Sequence, residues 1–170
     1  MMAKGYWLVP VAFLLFSKCQ GTGDVLNDRK NQAELLFRNI YGGEPSKISN
    51  LVTEDVVSTY PIFKQVLGTS VIHGREAYEN FAVHFKNRWK EPHLSIDDAV
   101  AEENQVVLIW SFQAKSAETT PDSSFISGQD YQWGGITLFK FNSEGKIWAE
   151  IGEESAPGPF ARLESEDLAE

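Results

Sequence analysis

The chain is poor in cysteine, histidine and basic residues. A single cysteine, Cys19, among 170 residues excludes an intramolecular disulfide framework and any multi-cysteine zinc site. The three histidines, His73, His84 and His93, show neither i,i+4 spacing nor a cysteine partner, so no metal site is expected. Fifteen Lys and Arg stand against twenty-four Asp and Glu, for a net charge of −9. That balance argues against nucleic acid as a partner, because phosphates are met by Lys and Arg. It argues equally against an anionic membrane surface as an electrostatic target. There is no glycine-rich phosphate loop, no internal repeat and no low-complexity tract, and no cofactor is implied. What remains is an ordinary globular composition, 42% hydrophobic and 23% charged, in a length that suits one domain.

The longest apolar run, Tyr6 to Phe16, is uncharged but too short to cross a bilayer as a helix, which takes about 20 residues. With Lys4 before it and Ser17, Lys18 and Cys19 after it, the run matches the apolar region of a secretory signal. Two cleavage readings stay open. Ser17 and Cys19 place small residues at −3 and −1 for cleavage before Gln20. Alternatively, Cys19 resembles the lipid acceptor of a bacterial lipoprotein signal, with Lys18 and Phe16 as departures from that pattern. An uncleaved N-terminal anchor is the third reading. The expectation is an exported protein: periplasmic, envelope-anchored through Cys19, or secreted. Membrane contact is expected only through the signal or the lipid. Cleavage would remove Lys4 and Lys18 and no acid, so the body is more acidic than the whole chain.

The boundaries read as a signal segment at 1–19, a polar tether at 20–30, a folded domain at 31–155 and an acidic tail at 156–170. Ala33, Leu35, Leu36, Phe37, Ile40 and Tyr41 fall at helical spacing, and Gly42-Gly43 ends that helix. Ser46 is expected to cap a short second helix. A β-branched strand, Val56–Thr59, leads into Tyr60-Pro61. A third helix follows His73-Gly74, with Tyr78, Phe81, Ala82, Phe85 and Trp89 on one face and Pro92 as its stop. The period then becomes two, predicting strands near 93–103, 105–116, 128–142 and 146–154. Gly134-Gly135 reads as a bend in the sheet. Helices followed by an antiparallel meander make an α+β fold. Val106–Trp110 is apolar on both faces, which predicts cover on the outer side as well, by a second copy in a homodimer.

Three strings carry a resemblance: Asn50-Leu51-Val52-Thr53-Glu54-Asp55-Val56, Val71-Ile72-His73-Gly74-Arg75-Glu76-Ala77, and Thr137 to Ile147. In their order and spacing, residues 30–154 resemble the nuclear-transport-factor-2-like superfamily, and within it the SnoaL-like polyketide cyclase group. The resemblance implies a cone in which three helices and a curved antiparallel sheet enclose a pocket for a small, largely apolar molecule. The superfamily puts different chemistries there, so fold alone does not give function. Where ketosteroid isomerases carry an Asp-Pro base, this chain has Tyr60-Pro61. Their oxyanion Tyr and protonated Asp fall near Leu36 and Thr137. The charged strand motif of limonene-epoxide hydrolases falls on Leu108–Phe112, which is uncharged, and their last-strand Asp falls near Gly152. Neither set is present.

Strand alternation puts Trp148, Glu150, Gly152 and Glu154 on one face, and the resemblance turns that face into the cone. Glu150 is then the candidate acid–base residue, since burial raises a carboxyl pKa toward neutrality. Tyr60 and Thr137 would polarise a carbonyl or hydroxyl, with Trp110, Trp133, Trp148 and Glu154 as further ligand contacts. The plainer readings are a Glu150 ion pair with Arg38 and a Tyr60 that is simply a core ring. Function reads as ligand binding with cyclase or isomerase chemistry. The alternative is a non-catalytic, envelope-anchored binding or assembly module.

Overall fold

The computed structural model describes residues 22–119, 125–156 and 158–159. The expected signal segment, Cys19 and the tail beyond residue 159 lie outside them. The elements run α1 (Thr22–Ile40), a 3₁₀ turn (Pro45–Asn50), β1 (Val52–Thr59), α2 (Phe63–Leu67), β2 (Val71–His73), α3 (Arg75–Asn87), β3 (Trp89–Glu102), β4 (Gln105–Ser116), β5 (Asp130–Phe141) and β6 (Ile147–Ser155). They form one α+β unit around a six-stranded sheet of order β2-β1-β6-β5-β4-β3.

Several expectations change. Residues 22–30, expected as a tether, belong to α1. Val25 and Leu26 are half-buried and extend the apolar stripe of Ala33 and Phe37 backward, while Asp24 suits the positive end of the helix. Gly21 and Gly23 had masked that start. Ser46 caps nothing; the second helix is a 3₁₀ turn with Glu44 at its N-cap and Pro45 at its first position, where a missing N–H is harmless. The short α2 and β2 carried no sequence signal. The sheet is mixed rather than antiparallel throughout. β3 to β6 form the expected meander, and β1 joins β6 in parallel.

Helix α3 stops at Asn87, and Trp89 opens β3 instead of closing the helix. Pro92 lies within that strand, where pairing with β4 breaks between Lys90 and His93. A residue with no N–H is tolerated in a sheet at such a bulge. Gly134-Gly135, expected as a bend, keeps continuous register with β4 and β6. A Cβ on Gly135 would lie 2.7 Å from Cζ2 of Trp110, so the glycine makes room for that indole.

The core forms where α1 lies on the inner face of the sheet. Ala33, Leu36, Phe37 and Ile40 are buried along one helix face. Phe37 meets Trp110 and Phe139 edge-on, each at 5.3 Å. From β4, Val106, Leu108, Trp110, Phe112 and Ala114 point inward, while Val107 and Ile109 face out and are half-buried. Each large apolar side chain buried here contributes about 1.5–3 kcal/mol.

One close approach ties the sheet to the site. A Cβ on Gly152 of β6 would collide with the Tyr60 ring, 2.8 Å from Cδ1 and closer to its neighbours. Gly152→Ala is therefore expected to displace Tyr60 and lower the unfolding free energy by about 1–3 kcal/mol, the usual range for overpacking. Urea denaturation checks this; unchanged stability would show that the ring moves aside freely.

Candidate functional site

The site is built where β1 and β6 run side by side. Ser58 of β1 pairs with Glu150 of β6, so their side chains stand together on the inner face. Glu150 is 2% exposed. The Ser58 hydroxyl donates to Oε2 at 2.8 Å, and the Tyr78 phenol, one turn into α3, donates to the same oxygen. The Tyr60 phenol donates to Oε1 at 2.7 Å.

Behind Tyr60 a directed chain of hydrogen bonds follows from donor chemistry. The Trp110 indole can only donate, and its N–H goes to Thr137 Oγ1 at 3.0 Å. The Thr137 hydroxyl is then left to donate to the Tyr60 oxygen, 2.9 Å away. The chain runs Trp110 to Thr137 to Tyr60 to Glu150, each bond polarising the next. Tyr60 is set in place by the turn after β1, where Phe63 N–H donates to the Tyr60 carbonyl at 3.1 Å.

Four residues on from Glu150, Glu154 accepts a hydrogen bond from Tyr41 at 3.1 Å. Among the described residues no ion pair reaches either carboxyl group. Burial raises the Glu150 pKa, and the hydrogen bonds from Tyr78, Tyr60 and Ser58 oppose that rise. Burial raises Glu154 to about 7, with the Tyr41 bond pulling down and Glu150 pushing up. Burial, reinforced by the nearby carboxyl charge, holds the phenols of Tyr41, Tyr60 and Tyr78 well above their ordinary value, so all three stay protonated.

Both glutamates and the Tyr60 ring line a cavity of about 370 Å³. Its wall is a run of touching aromatic rings. Tyr60 meets Phe63, and Phe63 meets Phe81, each at 4.9 Å; Phe81 meets Phe85 at 5.8 Å, and Phe85 meets Tyr41 at 4.9 Å. Trp133 and Trp89, 4.9 Å apart, carry the wall toward Arg88, whose guanidinium lies 5.2 Å over the Phe125 ring. The size suits a small organic ligand, and the two carboxyl groups and Arg88 are the charged groups of a largely aromatic lining.

The expected residues are thus only partly brought together. Glu150, Tyr60, Trp133 and Glu154 line the cavity. Trp110 and Thr137 stand behind it and act through Tyr60. Trp148 is 42% exposed on the outer face, with Lys140 Nζ 5.9 Å over its ring. The register with β5 shifts between Ala149 and Ile147, leaving Trp148 as the extra residue of a bulge, and the simple alternation fails there. Arg38 pairs with Glu34 at 3.7 Å rather than with Glu150. Ser58, Tyr78 and Tyr41 were missed. Tyr78 and Tyr41 sat in helical apolar stripes that read as core, and Ser58 needed the β1–β6 register. His73, His84 and His93 are exposed, and the described residues hold no cluster suited to a metal.

A cone of helices packed into a curved sheet, with titratable groups at its inner wall, is the nuclear-transport-factor-2-like architecture. Residues 33–150 match the model of the SnoaL-like domain, and the chain belongs to that family. Solved structures share the fold at low identity. A protein from Jannaschia sp. CCS1, assigned as a SnoaL-like polyketide cyclase, is 14% identical with a TM-score of 0.65 over 85% of this chain and 94% of that one. One from Acidithiobacillus ferrooxidans, assigned as a polyketide cyclase, is 16% identical with a TM-score of 0.63, covering 79% and 93%. IdmH from Streptomyces antibioticus, assigned likewise, is 12% identical with a TM-score of 0.62, covering 81% and 99%. A sequence search of curated proteins finds no match.

The raised carboxyls give stability a definite pH dependence. An unfolded Glu154 releases its proton near 4.5, the folded one near 7. Between those values the folded state holds a proton the unfolded state has lost, so stability is full below 4.5 and falls as pH rises through 7. Glu150 acts in the same direction. Glu154→Gln, which keeps an acceptor for Tyr41, is expected to lose less stability than wild type between pH 5 and pH 8. Parallel denaturant melts at the two pH values measure it, and identical losses would place Glu154 in water.

Proposed function

We propose that this SnoaL-like domain binds a small, largely apolar molecule in its aromatic cavity and performs acid–base chemistry on it of the cyclase or isomerase type. One observation carries the reading. Glu150 is a carboxyl group with a raised pKa, buried in the cavity wall, held by three hydroxyls and, among the described residues, in no ion pair. Burial makes it a better proton acceptor than an exposed carboxylate, and a proton beside a ligand carbonyl is within the reach of such a base. Once Glu150 takes that proton, the Tyr60 O–H no longer faces a full charge. It is then free to donate to the oxygen on which charge develops. Thr137 and Trp110 hold Tyr60 in place for that turn without touching the ligand.

The second reading is a binding or assembly module without turnover. Its support is that both oxygens of Glu150 are already engaged by protein hydroxyls, as in a purely structural carboxyl. Glu150→Gln separates the two. Under the catalytic reading it lowers turnover, or hydrogen exchange at the α-carbon of a bound ketone, by about 10²–10⁴-fold while ligand binding persists. Exchange at the wild-type rate would end the catalytic reading.

Export and self-association belong to the same proposal. The chain would be carried out by its N-terminal segment, and two copies would meet through the outer sheet face, where Val100, Ile136, Trp148 and Ile151 are exposed. Protein recovered from its native cells tests both. Its intact mass is expected to start at Cys19 with a lipid or at an unmodified Gln20, and sedimentation velocity is expected to give twice the chain mass. A full-length unprocessed chain or a monomer would remove the corresponding part.

A further inference from the structure

Glu154 differs from Glu150 in what is left over. Glu150 has three hydroxyl donors on its two oxygens. Among the described residues Glu154 has one, Tyr41 on Oε1, and its Oε2 accepts nothing. Yet Glu154 lines the cavity, and the influences on it are burial, Tyr41 and the charge of Glu150, with no cation among them. Arg88, which also lines the cavity, lies over Phe125, and among the described residues it forms no ion pair with either carboxyl. Glu154 is half-buried, and its free oxygen is not shut away from the cavity, so a positive charge placed there would meet it.

The rings beside it favour a positive charge. Tyr41 contacts Phe85 at 4.9 Å, and Phe85 contacts Trp133 at 6.4 Å; all three line the cavity with Glu154. Aromatic faces carry negative potential, so a cation among them is attracted and an anion is not. A neutral ligand would use the apolar area and at most donate a neutral hydrogen bond to Oε2 of Glu154, leaving its charge uncompensated.

We propose that the ligand of this cavity is a cation: an apolar body bearing a protonated or quaternary amine, with its nitrogen seated between Glu154 and the rings of Tyr41, Phe85 and Trp133. This deepens the binding reading above and rests on it. A protonated amine donates to Oε2. A quaternary amine meets the same carboxylate by charge and the rings by its methyl groups. Glu150, deeper along β6, remains available for the rest of the molecule.

The test uses four probes with one benzyl body, titrated calorimetrically into the full chain at pH 8: benzyldimethylamine, benzyltrimethylammonium, the neutral 2-methyl-1-phenylpropan-2-ol, and phenylacetate. The two cations are expected to bind at least about tenfold more tightly than the neutral alcohol, the scale of one charge-assisted contact, and phenylacetate most weakly. Glu154→Gln is expected to remove the preference, bringing the affinity of the cations to that of the alcohol. The wild-type comparison stands even where that variant folds poorly. Equal binding of cation and alcohol, tighter binding of phenylacetate, or no cation binding overturns the inference. Nile red, a neutral apolar dye, run beside them separates the two readings. Dye binding without cation preference sinks only the cation, and absence of both sinks the cavity as a ligand site.

Discussion

Glu150 places a carboxyl group beyond the reach of bulk water, and the arrangement around it exists to make that tolerable. A buried acid without partners is costly, so hydroxyls arrive from three directions: Ser58 from β1, Tyr60 from the turn after it, and Tyr78 from α3. Each depends on a different long-range contact. Ser58 requires β1 parallel to β6 in one register. Tyr60 requires a glycine at 152, and its own oxygen is held by Thr137 and, through it, by Trp110. Tyr78 requires α3 to lie across β1. The carboxyl group thus pins two strands, a turn and a helix to one another.

The cavity follows from the same geometry. Bulges in β3 and β6 curve the sheet, and α1 fills one end of the concavity with Phe37 against Trp110 and Phe139. The other end is lined with rings that touch one another but leave a space, with the two glutamates on its wall. The apolar surround is what raises the carboxyl pKa values, and the same low polarity would strengthen any charge or hydrogen bond a ligand brings. Membership of the SnoaL-like family fixes this architecture but not the reaction. The positions at which the resemblance would put the charged sets of ketosteroid isomerases and limonene-epoxide hydrolases hold other residues here, and the buried carboxyl groups stand on the last strand.

Much of this was legible in the residues. The meander of β3 to β6, the Asn142–Gly145 turn and the helical stripes of α1 and α3 all follow from local periodicity, which survives in any context. Alternation placed Glu150, Gly152 and Glu154 on one face, and the family resemblance turned that face inward. Alternation then misplaced Trp148, because a bulge is a response to how two strands fit and not a property of either one. The early start of α1 was hidden by Gly23, whose helical cost is offset by packing of Val25 and Leu26.

The sequence by itself determined the fold family, the acidic charge, the lack of cysteine or histidine ligands for a metal, and the carboxyl groups of the last strand. These are local or additive properties, readable one segment at a time. Only the tertiary structure decided that Ser58 and Tyr78 share Glu150 with Tyr60, that Trp110 and Thr137 serve behind the wall, and that Glu154 keeps an oxygen open to an aromatic chamber. Those facts depend on register and on the crossing of distant elements. A hydroxyl becomes a partner only when packing brings it within bonding distance, and no spacing along the chain encodes that distance.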